Sequence, residues 1–116
     1  MRLPVAGPLV QASGMPENPV SLCVLLWAIP GKESALGSYE DRVLGLVAER
    51  GGRILQRGNV IADGRDSDEQ PAEVQFLEFP SEETLDAYMN DPRRLALAAE
   101  RDAAIARTDV LRIQPR

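Results

Sequence analysis

The sequence predicts an α+β domain, with four strands in one antiparallel sheet and the helices on a single face. Three observations carry this. Val20 to Ile29, VSLCVLLWAI, is apolar on both parities of a strand. Val74 to Pro92, VQFLEFPSEETLDAYMNDP, runs from an apolar strand into a proline and an acidic-capped helix. Two further alternating stretches, Arg53 to Ile61 and Thr108 to Gln114, carry arginines as edge strands do.

In chain order, residues 1–18 are rich in Pro, Gly, Ala and Ser without a period of 2 or 3.6. They read as a flexible tail before one domain spanning 19–116. A strand apolar on both parities needs cover on both faces, and Pro30-Gly31 stops it. Ser34 or Ser38 is placed to cap a helix in which Leu36, Tyr39, Val43, Leu44 and Val47 form one face. Gly51-Gly52 ends that helix.

The polar run Asp63 to Pro71 joins the second and third strands as a long hairpin. Its acids do not follow the EF-hand spacing, so it reads as a solvated loop and not as a metal site. Pro80 ends the third strand, Ser81 caps the next helix, and Glu82 and Glu83 face its positive end. Asp91-Pro92 opens an alanine-rich helix to Ile105, with Leu95, Ala98, Ala99 and Ile105 expected toward the core.

The order β-α-β-β-α-β, with right-handed crossovers and a middle hairpin, is the ferredoxin-like split βαβ arrangement. Its first and third strands are central, which agrees with their apolar content. Helices cover one face only, so the first strand's other side is expected to meet a second copy about a two-fold axis, as a homodimer.

Composition removes several functions. The chain has no histidine, which excludes a Ser-His-Asp triad, a histidine metal site and histidine-ligated haem. Its one cysteine, Cys23, permits neither an internal disulfide nor a thiolate zinc site, and reads as a packing residue within its apolar run. The net charge of −5 disfavours nucleic acid as a partner. No apolar run is long enough to cross a membrane, and Pro4 and Pro8 interrupt anything like an export signal, so a cytoplasmic location is expected.

Glu78 stands out as a carboxylate in a central strand, on the parity of Val74 and Phe76. Arg57, Arg112 or Arg101 is in position to pair with it. Two readings follow: a general base with Arg57 stabilising an anion, or a structural ion pair at a dimer interface.

The segments GGRILQRG (Gly51 to Gly58) and FLEFPSEETLDAYMNDP (Phe76 to Pro92), with Arg101 in a helix before the last strand, resemble the dimeric α+β-barrel superfamily. Within it, residues 19 to 114 are most similar to a bacterial family catalogued as a domain of unknown function. The superfamily contains cofactor-free monooxygenases of polycyclic polyketides, muconolactone isomerases, haem-handling enzymes and ligand-sensing modules. The resemblance implies a small-molecule cavity between sheet and helices. Trp27, Tyr39, Tyr88, Asn59 and Arg101 are the candidates to line it. MNDPRR, Met89 to Arg94, stands where a Ser-Pro-Glu-Tyr type segment is common, so the ligand is expected to differ if that segment lines the pocket.

Two functions are consistent with this reading. One is an enzyme without metal or organic cofactor, of cyclase, isomerase or monooxygenase type, acting on a small or polyketide-like metabolite. The other is a non-catalytic ligand-binding or dimerisation module.

Overall fold

The computed structural model describes residues 18–66 and 68–116, so the expected tail lies outside the described residues, Asn18 apart. Along the chain run β1 (Val20–Ala28), α1 (Glu33–Val43), α2 (Gly45–Glu49), β2 (Arg53–Asn59), β3 (Glu73–Phe79), α3 (Glu82–Met89), α4 (Pro92–Leu95), α5 (Ala98–Ala104) and β4 (Ile105–Ile113). The strands form one sheet in the order β2-β3-β1-β4, and every neighbouring pair is antiparallel. This is the ferredoxin-like order read from the sequence, with the two oily strands central.

Register decides which side chains meet. Leu22 pairs with Leu77 and Arg112, and Val24 with Gln75 and Val110, so these residues share one face. On that face Val20, Leu22, Val24 and Leu26 join Leu36, Val43, Val47, Leu77 and Phe79 in the core. Each such side chain contributes roughly 1.5–3 kcal/mol when fully buried.

The other face of the sheet carries no helix among the described residues. Cys23 pairs with Phe76 and Leu111 there. Cys23, Leu25, Val74 and Phe76 are half-buried, and Leu111 and Ile113 are exposed. A register shift between Ile54 and Gln56 leaves exposed Leu55 as an extra residue in β2.

Helix boundaries show where local chemistry was legible. Ser81 Oγ accepts from the Thr84 backbone N–H at 3.2 Å, and Thr84 Oγ1 accepts from Ser81 N–H at 3.1 Å, completing a capping box. α1, by contrast, begins at Glu33 with no side-chain cap, and Ser34 and Ser38 lie inside it. The turn at Pro30-Gly31 starts it, through Lys32 N–H donating to Ile29 O at 2.8 Å.

The helix expected from Pro92 to Ile105 is two helices. The break at Ala96-Leu97 changes which residues turn inward. Leu95 is exposed, as are Ala98 and Ala99, contrary to expectation, while Ala104 and Ile105 are buried. The inward stripe is Arg94, Leu97, Arg101 and Ala104, at spacing i, i+3, i+7, i+10.

Asp91 fixes the start of that stripe. Its buried carboxylate accepts from the Arg93 backbone N–H at 2.8 Å, from Arg93 Nη2 at 2.8 Å and from Arg50 Nε at 3.1 Å. These bonds, Arg93's side chain foremost, hold its carboxyl well below the usual carboxylate range.

Gly51 adopts φ +84°, the left-handed conformation that ends α2. Gly52 is constrained differently. A Cβ there would come within 2.8 Å of both the Phe79 ring and Val47 Cγ1, each fully buried. Gly52→Ala is therefore expected to destabilise the fold by about 1–3 kcal/mol through overpacking. The midpoint of urea unfolding checks this; an unchanged midpoint would show that the α2-β3 contact yields.

Candidate functional site

Between the helices and the core face of the sheet lies a cavity of about 470 Å³. That is within the range that takes a small organic molecule. Its apolar walls come from Leu22, Val24 and Leu26 of β1, Val43 of α1, Leu77 of β3 and Leu85 of α3. Polar groups enter it from the same elements: Tyr39 and Glu40 from α1, Gln75 from β3, Tyr88 from α3, and Arg94 and Arg101 from the stripe described above.

Glu40 is placed by helical spacing. It follows Leu36 by four residues and precedes Val43 by three, so the stripe that buries those two buries a carboxyl as well. It is 6% exposed. Gln75 Nε2 donates to Glu40 Oε1 at 2.7 Å and to Glu73 Oε2 at 2.8 Å. Burial pushes the Glu40 carboxyl up; the bond from Gln75 opposes this and the nearby Glu73 charge adds to it.

Glu73, 1% exposed, is held in turn by Arg57. Arg57 Nε donates to Glu73 Oε2 at 2.5 Å, and Arg57 Nη1 to Asp41 Oδ1 at 2.6 Å. A line of hydrogen bonds thus runs from the cavity wall at Glu40 through Gln75 and Glu73 to Arg57.

Tyr39 and Tyr88 are 2% and 6% exposed, and both line the cavity. Burial pushes both hydroxyls up, so they remain protonated donors at neutral pH. Arg94 lies over the Tyr88 ring, 5.2 Å from its centroid. Arg101 Nη2 contacts Thr108 Oγ1 at 3.3 Å.

Of the residues read from the sequence, Tyr39, Tyr88 and Arg101 come together in this cavity. Glu78 and Arg57 do not meet. Glu78 pairs with Arg53, Nη2 to Oε1 at 2.6 Å, on the face without helices, while Arg57 points to the opposite face. The period-2 alternation of β2, shifted by its extra residue, separates them. Arg112 binds Glu82, with Nη2 to Oε1 at 3.0 Å, and not Glu78.

Trp27 also lies on the face without helices, beneath Arg107 at 4.2 Å from the ring centroid. Asn59 lines a separate hollow with Gly37, Asp41 and Arg57. Glu40, Gln75 and Arg94 were missed because polar residues on an apolar stripe were passed over. Counting them into the stripes of Leu36 and Leu97 finds Glu40 and Arg94.

A family model described as Domain of unknown function (DUF1330) matches residues 30–114. No curated protein matches the sequence. Among solved structures, the chain is similar to the RPA0582 protein of unknown function from Rhodopseudomonas palustris, at 20% identity and TM-score 0.67, covering 86% of this chain and 84% of that one. It is also similar to a dimeric protein of unknown function and ferredoxin-like fold from Bacteroides fragilis, at 15% identity and TM-score 0.62, over 84% and 96% of the two chains. A third is SnoaB, a cofactor-independent oxygenase from Streptomyces nogalater, at 13% identity and TM-score 0.63, over 84% and 93%. At these identities the likeness shows the fold.

Proposed function

We propose, from the premise that this chain belongs to the family described as Domain of unknown function (DUF1330), that it is a homodimer binding a small molecule in the helix-side cavity. There it acts as an enzyme that needs neither metal nor organic cofactor. The observation that carries this is Glu40, a carboxyl buried in an otherwise largely apolar wall with its proton affinity raised. Such a group is a stronger base than a solvated carboxylate.

The chemistry that fits is proton transfer next to a carbonyl. Glu40 takes the proton from carbon and the bonding electrons pass to the carbonyl oxygen. The Tyr39 and Tyr88 hydroxyls, both protonated, are the donors available to the resulting enolate. Return of the proton to another carbon gives an isomerase; closure onto a second carbonyl gives a cyclase. A cofactor-independent oxygenase with this fold, SnoaB, supports the third outcome, an electron-rich enolate meeting oxygen.

The second copy is proposed for the face bearing Cys23, Phe76, Leu111 and Ile113. In support, the Bacteroides fragilis protein of similar fold is dimeric. On this reading the Glu78–Arg53 pair belongs to the interface.

Glu40→Gln tests the assignment in two ways. A compound copurifying with the wild type, returned to the protein in deuterium oxide, is expected to gain deuterium beside its carbonyl. Glu40→Gln should slow that exchange by about 10²–10⁴-fold with binding retained. Equal exchange in both proteins would remove Glu40 from the mechanism, and a bound compound that never exchanges would leave a binding module.

The second readout is stability. Because the folded carboxyl is raised above its ordinary value of 4.5, its contribution is present below that value and is lost as pH rises through the folded one. As pH rises above that ordinary value the wild type should therefore lose stability relative to Glu40→Gln. Parallel curves would show that Glu40 is not desolvated.

A further inference from the structure

We propose that the ligand of this cavity is a monocarboxylate with an apolar body, and that Arg94 is the group that takes its carboxylate. The inference rests on the reading of the cavity as a small-molecule site and names what that site selects.

Arg94 is the anomaly among the arginines. Among the described residues, every other arginine from Arg42 to Arg112 sits in an ion pair with an aspartate or glutamate, and Arg94 does not. The chain is not short of acids: it has 18 against 13 lysines and arginines. The acid is missing at the position where the helical stripe of α4 and α5 turns a guanidinium toward the cavity.

The guanidinium is held and half used. Its Cζ lies over the Tyr88 ring, and Nη1 donates to Met89 O at 3.3 Å. Nε is buried and has no acceptor among the described residues. A buried N–H is rarely left unmatched, and the one here belongs to a charged group. With Nη1 committed to Met89, the edge formed by Nε and Nη2 has no acidic partner among the described residues. That edge offers two parallel N–H groups, the side-on fork that matches both oxygens of one carboxylate.

The surroundings favour an anion. Arg101 is the next cation along the stripe, and its own partner, Asp102, points to solvent with 74% of its side chain exposed. Two acids line the cavity, Glu40 and Asp86. Asp86 is exposed, and Glu40 is held toward its neutral form by burial. The aliphatic wall of Leu22, Val24, Leu26 and Leu77 suits an apolar body. Of the other arginines on the cavity, Arg112 is engaged by Glu82 and Arg101 by Asp102 and Thr108, so the single guanidinium without an acid matches one carboxylate on an apolar body. Met89 and Arg94, at the two ends of the MNDPRR segment, both line the cavity, so the departure noted in the sequence falls on the ligand's polar end.

The test is calorimetric titration of the full chain with benzoate, cinnamate and 1-naphthoate, each beside its uncharged amide. At least one acid is expected to bind the wild type about 10- to 100-fold more tightly than its amide. Arg94→Gln should abolish that preference, and Arg94→Lys should restore part of it. Amides binding as well as acids would overturn the carboxylate while leaving the cavity reading intact. A preference for acids that survives in Arg94→Gln would overturn the assignment to Arg94. Failure of all six compounds to bind the wild type would overturn this inference; if no metabolite copurifies with the protein either, the cavity reading falls with it. Matching melting temperatures of variant and wild type would show that the loss is not one of folding.

Discussion

Arg57→Ala is expected to lower the folding free energy by about 3–5 kcal/mol, the range seen when one partner of a buried ion pair is removed. Glu73 is 1% exposed, and Arg57 supplies two of its hydrogen bonds, from Nε at 2.5 Å and Nη2 at 3.3 Å. Without them, among the described residues only Gln75 Nε2, at 2.8 Å, still donates to that carboxylate. The bond to Asp41 adds little, because the Asp41 side chain is 70% exposed. Arg57→Lys keeps the charge and loses the fork, so an intermediate loss is expected. Urea unfolding of the three proteins checks this. A loss below about 1 kcal/mol would mean that Glu73 finds water or another donor. The same result bears on the reading of Arg57 from sequence, since an arginine that holds Glu73 acts on Glu40 through Gln75 and need not touch a substrate.

The second large effect is on assembly. Phe76→Asp is expected to turn a dimer into a monomer, with the dissociation constant rising by about 100-fold or more. Phe76 lies in β3 on the face without helices, beside Leu55, Gln56 and Ile113. In a two-fold interface each substitution counts twice, and a carboxylate among those side chains finds no cation in the same hollow. Size-exclusion chromatography with light scattering reads the outcome. An unchanged mass would place any interface elsewhere.

The fold was legible because local and global signals agreed. Pro80, Ser81 and the acidic first turn marked a strand end and a helix start that the capping box at Ser81 and Thr84 bears out. The apolar content of β1 and β3 matched their central places in the sheet. Legibility failed where a polar residue stood on a buried stripe. The alanines at 98 and 99 drew the inward face of the last helix toward themselves, whereas the break at Ala96-Leu97 gives it to Arg94 and Arg101. In β3 both parities carry a glutamate. Strand alternation points to Glu78, on the parity of Phe76, whereas the register buries Glu73 with Leu26 opposite. Helix propensity and strand alternation locate a face; they do not say which of two polar residues its neighbours can satisfy. That needs the tertiary partner, Arg57 on the neighbouring strand for Glu73 and Gln75 on the sheet for Glu40 of α1.

Helices cover one side of the sheet around the cavity, and a second copy is proposed to cover the other. Sedimentation velocity on the wild-type protein at micromolar concentration tests it most directly. A single species at twice the 12.7 kDa of the chain is the expected result. A single, well-behaved species at 12.7 kDa would contradict it.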